Sequence, residues 1–259
     1  MRIFTLACLE FKKIKRSRIL LLLLAASVIL WIPSILHVHL NFQMQAEGIS
    51  PEHNFFIQGF LGMSWFMFPA SMVVATVLLN QTERANRGIL KMLALPVRPA
   101  AFCLSKFAVL LVLAAAQIIL MTGAYYSSAV ICGITQHYRF LLPPLFAAKQ
   151  AALLFLSSIP MLAFFWMLSV CIQTPIFSIG LGLSSIVPSV LVINTTWWFA
   201  DPVCYPFFIM TAAYGKLAAN LTTAQAELFP WIPAAILLTI LFLFVSCIRF
   251  GQAERRSFL

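Results

Sequence analysis

Six uninterrupted apolar runs constrain this chain more than any other feature: Ile19–Leu36, Phe55–Leu79, Phe107–Ile131, Ala151–Ile172, Ile176–Ile193 and Trp231–Ile248. Each is long enough to cross a hydrocarbon layer as a helix, which takes about 17–25 residues. No water reaches the backbone inside lipid, so each peptide group must be bonded within a helix or a closed barrel. Barrel strands alternate apolar and polar positions, whereas these runs are continuous, and helices remain. Only 9% of the 259 residues are charged, against about 25% in soluble domains, and mean hydropathy is +0.98. An ordinary soluble domain is excluded. The expected fold class is an all-α integral membrane protein, a single membrane domain over residues 1–259 with six transmembrane helices. An N-terminal amphipathic interfacial helix over residues 1–18 precedes the first span. A short re-entrant or interfacial external hairpin within Trp197–Pro230 precedes the last one.

The distribution of charge orients the bundle. Of 17 Lys and Arg residues, all but Arg139, Lys149 and Lys216 fall in the N-terminus, the Thr82–Lys106 loop and the C-terminus. Basic residues concentrate on the cytoplasmic side of membrane proteins, so both termini are expected in the cytoplasm of a multi-pass cell-membrane protein. A net charge of +10 would suggest nucleic acid in a soluble chain. Here the basic clusters flank apolar runs without interleaved aromatics, so the expected anionic partner is membrane lipid and not nucleic acid. The run Ile19–Leu36 is longer than a signal-peptide core and no A-x-A-like site follows, so it is expected to stay as the first span.

Smaller features refine this outline. Phe4, Ala7, Cys8, Phe11 and Ile14 share one face of the basic N-terminal segment, a pattern suited to the inner headgroup layer. Pro69, Pro160 and Pro188 fall inside apolar runs and are expected to bend their helices. Ser178 with Gly182, and Gly180 with Ser184, give the fifth run two small-xxx-small pairs of the kind that bring helices close. Val203–Tyr214 is nearly uncharged but too short to span, and Asp201 before Pro202 marks a turn. Six scattered cysteines without a CxxC argue against a zinc site, although Cys132 and Cys204 share the outer side, where a bridge between them is open. His37, His39 and His53 lie near Glu47 and Glu52, but two His at i and i+2 diverge beyond a helix end, and no metal site is expected.

The chain lacks an engine of its own. GxxxxGK[ST], HExxH and GxSxG do not occur, so no ATP-binding loop or catalytic motif of these kinds is present, and no cofactor site is expected. The seven acids stand at or beyond the edges of the apolar runs, which disfavours a buried proton relay. Bulky, pliable residues fill the second and fourth runs. Packing explains most of them, and the alternative assigns Phe60, Met63, Met67, Phe164 and Met167 to a path for an amphipathic substrate.

Water-facing chemistry concentrates in the loop Thr82–Lys106. Glu83, Arg84, Arg87 and Lys91 recur at near-helical spacing, with Glu83 and Arg87 four apart as an ion-pair geometry. Ala85, Ile89 and Leu93 form a narrow apolar stripe, Gly88 loosens the helix, and Pro96 and Pro99 end it. Physical pattern alone leaves two readings open: a helix that docks in a cytoplasmic partner, or a solvated loop.

The arrangement resembles the permeases of type-2 ABC exporters along essentially the whole chain. The similarity rests on the entry LEFKKIKRSRILLLL and on Glu83, Arg87-Gly88-Ile89-Leu90-Lys91-Met92-Leu93, Leu95-Pro96-Val97-Arg98 and Lys106. It also rests on the outer apolar segment before the sixth run. The resemblance implies that Glu83, Arg84, Arg87, Gly88, Leu90, Lys91 and Leu93 couple this chain to a cytoplasmic ABC ATPase subunit. That partner would hold the ATP and magnesium, and a second permease, identical or related, would complete the pathway. Size and the lack of a large outer domain look most like bacterial lantibiotic-immunity or peptide-export permeases. The implied function is membrane passage of an amphipathic peptide, lipid or drug-like molecule by a chain that is not itself an enzyme. The alternatives are an ATP-independent transporter or channel, and a membrane-embedded enzyme or assembly factor.

Overall fold

The computed structural model describes residues 10–11, 19–84, 99–217 and 228–256, and its regular elements are helical throughout. Among the described residues, six helices are long and apolar enough to cross a membrane: Ile19–Leu36, Pro51–Gln81, Pro99–Gln136, Pro144–Cys171, Pro175–Val192 and Phe229–Phe250. The chain is thus an all-α, multi-pass membrane protein. The N-terminal amphipathic segment lies outside the described residues except for Glu10 and Phe11.

Prolines punctuate these spans in two ways. The first span divides into α1 (Ile19–Ile29) and α2 (Trp31–Leu36), and the fifth into α7 (Pro175–Ser184) and α8 (Ile186–Val192). Each break falls three residues before a proline, Pro33 or Pro188, where the ring lacks an N–H and crowds the preceding turn. The second span answers Pro69 differently. Between α3 (Pro51–Gly62) and α4 (Phe68–Arg84) a π-helical turn, Met63–Met67, widens the helix ahead of that ring. Pro160 stays inside a continuous α6 (Pro144–Cys171). At helix starts the same residue is harmless, because the missing N–H has no partner there. Pro99 accordingly opens α5 (Pro99–Gln136) instead of ending the preceding helix, which corrects the loop limit at Lys106.

α5 is central: α1, α6 and α10 (Leu228–Arg256) pack on it, while α4 sits against α6 and α7. Trp31 anchors part of the core, buried with its ring 5.4 Å from Phe55 and 5.7 Å from Tyr125. Gly59 makes room for it, since a Cβ there would stand 2.3 Å from the indole. The two small-residue pairs of the fifth span separate. Ser178 and Gly182 are buried, with Gly182 facing Val73, whereas a Cβ added at Gly180 would meet nothing within 4 Å.

Beyond the fifth span, α9 (Tyr205–Leu217) packs on α3 and α6. Thirteen residues reach about 20 Å, short of a bilayer crossing. Aromatic rings fasten its start: Trp198 stacks on Phe208 at 3.9 Å, and Trp231 of α10 lies edge-on to Tyr205 at 5.9 Å. A stretch too short to cross is thus packed against the bundle wall.

Candidate functional site

Residues 85–98 lie outside the described residues, and with them Arg87, Gly88, Leu90, Lys91 and Leu93. Glu83 and Arg84 belong to the backbone of α4. The structure does describe the roots of this loop, the parts of α4 and α5 on either side of residues 85–98.

Lys106 joins them. It stands two turns inside α5 and is 1% exposed, an extreme burial for a lysine in an apolar bundle. Its Nζ donates to the Leu79 carbonyl of α4 at 3.1 Å, and Glu10 Oε2 of the N-terminal segment lies 3.5 Å away. The Phe102 ring, 5.1 Å from the ammonium, adds its negative face. A buried charge is tolerated only with such partners. Three segments far apart in sequence therefore meet at one ammonium group.

Neighbouring bonds extend this junction across the bundle. Asn80 Nδ2 donates to the Ser169 carbonyl at 3.0 Å and to its hydroxyl at 2.7 Å, tying α4 to the end of α6. Trp166 Nε1 points at Cys103 Sγ at 3.3 Å, tying α6 to α5. Phe102 and Phe250 meet at 5.7 Å, bringing in α10. A displacement of either loop root must consequently pull on α5, α6 and α10.

Asn80 and Ser169 escaped the sequence reading, Glu10 entered it only as one of the seven acids, and Lys106 as a basic residue at the end of the loop. A signal existed for Glu10, the sole acid among 18 residues that include six basic ones. Asn80 and Ser169 are single polar positions at helix ends, indistinguishable by pattern from solvated ones.

The substrate-path candidates differ in burial. Phe60 and Met63 are fully buried, with Phe60 stacked on Phe56 at 4.2 Å. Met67, Phe164 and Met167 are half-buried, and Phe164 meets Phe242 of the last span at 5.5 Å. The first two are sealed inside the bundle in this arrangement.

On the other side of the bundle, Tyr138 donates to Glu52 Oε2 at 2.5 Å. That bond holds the phenolic proton, pushing the Tyr138 pKa up to about 12. Asp201 caps the approach to α9 by accepting the Val203 N–H at 2.9 Å. Burial raises its carboxyl above the usual range, and that hydrogen bond offsets only part of the rise. Cys132 and Cys204 are both free and buried, so the bridge left open between them is not formed. His53 Nδ1 is bonded to Ser50 Oγ at 2.6 Å, and no group of three metal-ligand side chains gathers among the described residues.

A family model described as "ABC-2 family transporter protein" matches residues 6–189. No curated protein and no solved structure matches the chain. The match takes in Glu10, both roots of the loop and the α6 end that Asn80 grips.

Proposed function

The chain belongs to the ABC-2 family of transporter proteins, a permease component of an ABC transporter, and on that premise we propose that it is the membrane half of an ATP-driven exporter. In this reading two permease chains, identical or related, enclose the pathway, and two cytoplasmic ATPase subunits bind ATP with magnesium and clamp together. The loop leaving α4 docks on an ATPase through Glu83, Arg84, Arg87, Gly88, Leu90, Lys91 and Leu93. Both termini face the cytoplasm, in keeping with the basic residues there. The cargo is an amphipathic peptide, lipid or drug-like molecule, and a bacterial lantibiotic-immunity or peptide-export system is the setting its size suggests.

The single observation supporting force transmission is the Lys106 junction. The ammonium holds Leu79 at one root of the loop and Glu10 beside the other. Movement imposed on the loop is then felt by α4 and α5 together instead of bending one of them. ATP favours the clamped state, so its binding shifts the population of bundle conformations, which is the thermodynamic content of alternating access. Phe60 and Met63 would open to cargo only in the other state, while Met67, Phe164 and Met167 are already half-exposed.

The test is co-purification with a co-expressed ABC ATPase subunit, comparing wild type with Glu83→Ala and Arg87→Ala. Loss of the complex and of ATP-dependent efflux in both variants is the expected outcome. Full assembly and efflux in both would remove the docking assignment, and efflux without any ATPase would select the ATP-independent alternative.

A further inference from the structure

A second built feature lies far from the Lys106 junction, at the outer ends of the first two spans. There a cavity of about 370 Å³ is lined by Ser34, His37, Asn41, Gln43, Asn54 and Gln58, with Leu40 and Phe55 as its apolar wall. Its volume falls within the range of ligand pockets, about 300–1,000 Å³. None of the lining side chains is an acid, a lysine or an arginine. The groups on offer are chiefly carboxamides, each carrying donors and acceptors in one plane.

Two of them are locked. Asn54 Nδ2 donates to Asn41 Oδ1 at 2.8 Å, and Asn41 Nδ2 donates to the Val38 carbonyl at 2.8 Å, both residues being buried. Gln58, in contrast, is presented. Gln58 Nε2 reaches Asn54 Oδ1 only at 3.5 Å, the Gln58 side chain is exposed, and its Oε1 accepts no bond among the described residues. Gln58 follows Pro51 by two helical turns, about 10 Å along the axis. A bare carboxamide at that depth is unfavourable against hydrocarbon, and polar groups inside a membrane bundle commonly mark a path or a site. Ser34 adds a hydroxyl without a hydrogen bond among the described residues. Ser27, Ser71, Thr76 and Thr122, by contrast, all bond back to a carbonyl of the preceding turn.

We propose that this cavity binds an uncharged amide, a peptide bond or carboxamide side chain, of a peptide at the outer face. An amide answers a carboxamide with one donor and one acceptor in the same plane. The Phe55 ring offers that plane an apolar wall, fixed by Trp31 at 5.4 Å and Phe140 at 5.3 Å. A cationic group finds no acid among the lining residues, and a purely apolar one leaves Gln58 and Ser34 unanswered. Naming the occupant as cargo rests on the exporter reading; the site itself does not.

Ser34→Cys places a thiol on the cavity with minimal change in shape. The full chain in proteoliposomes is labelled from outside with a water-soluble methanethiosulfonate, and wild type supplies the background. The probes are N-acetylalanine methylamide and its ester analogue, which has oxygen in place of each N–H. The amide is expected to slow labelling several-fold, the ester to have little effect, and Gln58→Leu to abolish the protection. Equal slowing by both probes, protection that survives Gln58→Leu, or no protection at saturating amide would each overturn the assignment. So would a Ser34→Cys variant that does not react at all, since another chain would then cover the cavity. No ATP or ATPase enters the assay, so its failure leaves the exporter reading standing, and the collapse of that reading leaves this measurement intact.

Discussion

Replacing Lys106 with methionine tests the junction most directly. Met keeps the length and apolar stem of the side chain, so packing is largely preserved and the charge is what changes. The ammonium is 1% exposed, 3.1 Å from the Leu79 carbonyl and 3.5 Å from Glu10 Oε2. Removing one partner of a buried ion pair costs about 3–5 kcal/mol, because the other charge is left in a poor environment. Glu10→Gln, which keeps the shape of the carboxylate, should destabilise by the same mechanism. The double variant removes both charges and should lose less than the two single changes added together, with a coupling of about 0.5–3 kcal/mol. Equilibrium unfolding of the reconstituted chain by SDS, read by tryptophan fluorescence, gives all four corners of the cycle. The functional arm is ATP hydrolysis and efflux by the complex with its ATPase. The double variant should fold and hydrolyse ATP yet export poorly, since its loop roots are no longer held together. The reasoning fails if Lys106→Met lies within about 0.5 kcal/mol of wild type, or if the cycle is additive. A double variant that exports at the wild-type rate would remove the mechanical role while leaving the structural one.

Two other outcomes follow from single positions. A methyl at Gly182 would stand 2.7 Å from Val73 Cγ1, whereas Gly180, on the same helix, has open space. Gly182→Ala should destabilise by about 1–3 kcal/mol through overpacking, Gly180→Ala should not, and Val73→Ala should restore Gly182→Ala; thermal unfolding of the four variants decides this. Asp201 has its carboxyl pKa raised by burial, so the folded state binds its proton more tightly than the unfolded one, and stability falls as pH rises from the unfolded value through the folded one. Asp201→Asn retains an acceptor for the Val203 N–H and should flatten that slope between acid and neutral pH, whereas an unchanged slope would place the titration elsewhere.

How much was legible follows from the length scale of each signal. Six helices were readable because each is announced by about 20 consecutive apolar residues, and no competing arrangement satisfies such a backbone in lipid. Helix ends were less so. Pro99 carries the same local chemistry whether it stops one helix or belongs to the next, and only the fold shows that it is part of α5. The π-helical turn before Pro69 was invisible for a related reason: proline signals that a helix must adjust, but neighbours decide between a bend, a break and a widened turn. Pro33 and Pro188 broke their helices, and Pro69 did not.

The Lys106 junction shows where pattern reading ends and geometry begins. Counting basic residues placed Lys106 among those on the cytoplasmic side, a treatment that assigns every lysine the same role. Burial distinguishes it from the rest. A lysine in contact with headgroups needs no particular partner, whereas one that is 1% exposed requires an acid and a carbonyl brought from elsewhere. The acid comes from a point 96 residues away in sequence, and the carbonyl from the far side of a loop. Long-range pairing of this kind leaves no periodic trace in one sequence. The outer cavity behaves the same way: Asn41, Asn54 and Gln58 are unremarkable singly and become a site only when α2, the segment after it and α3 are folded together. Both places combine burial with polar groups that lipid would penalise, and a chain this apolar keeps such groups only where something answers them. That makes Lys106 and Gln58 the two positions at which a conservative, uncharged substitution should separate function from folding most sharply.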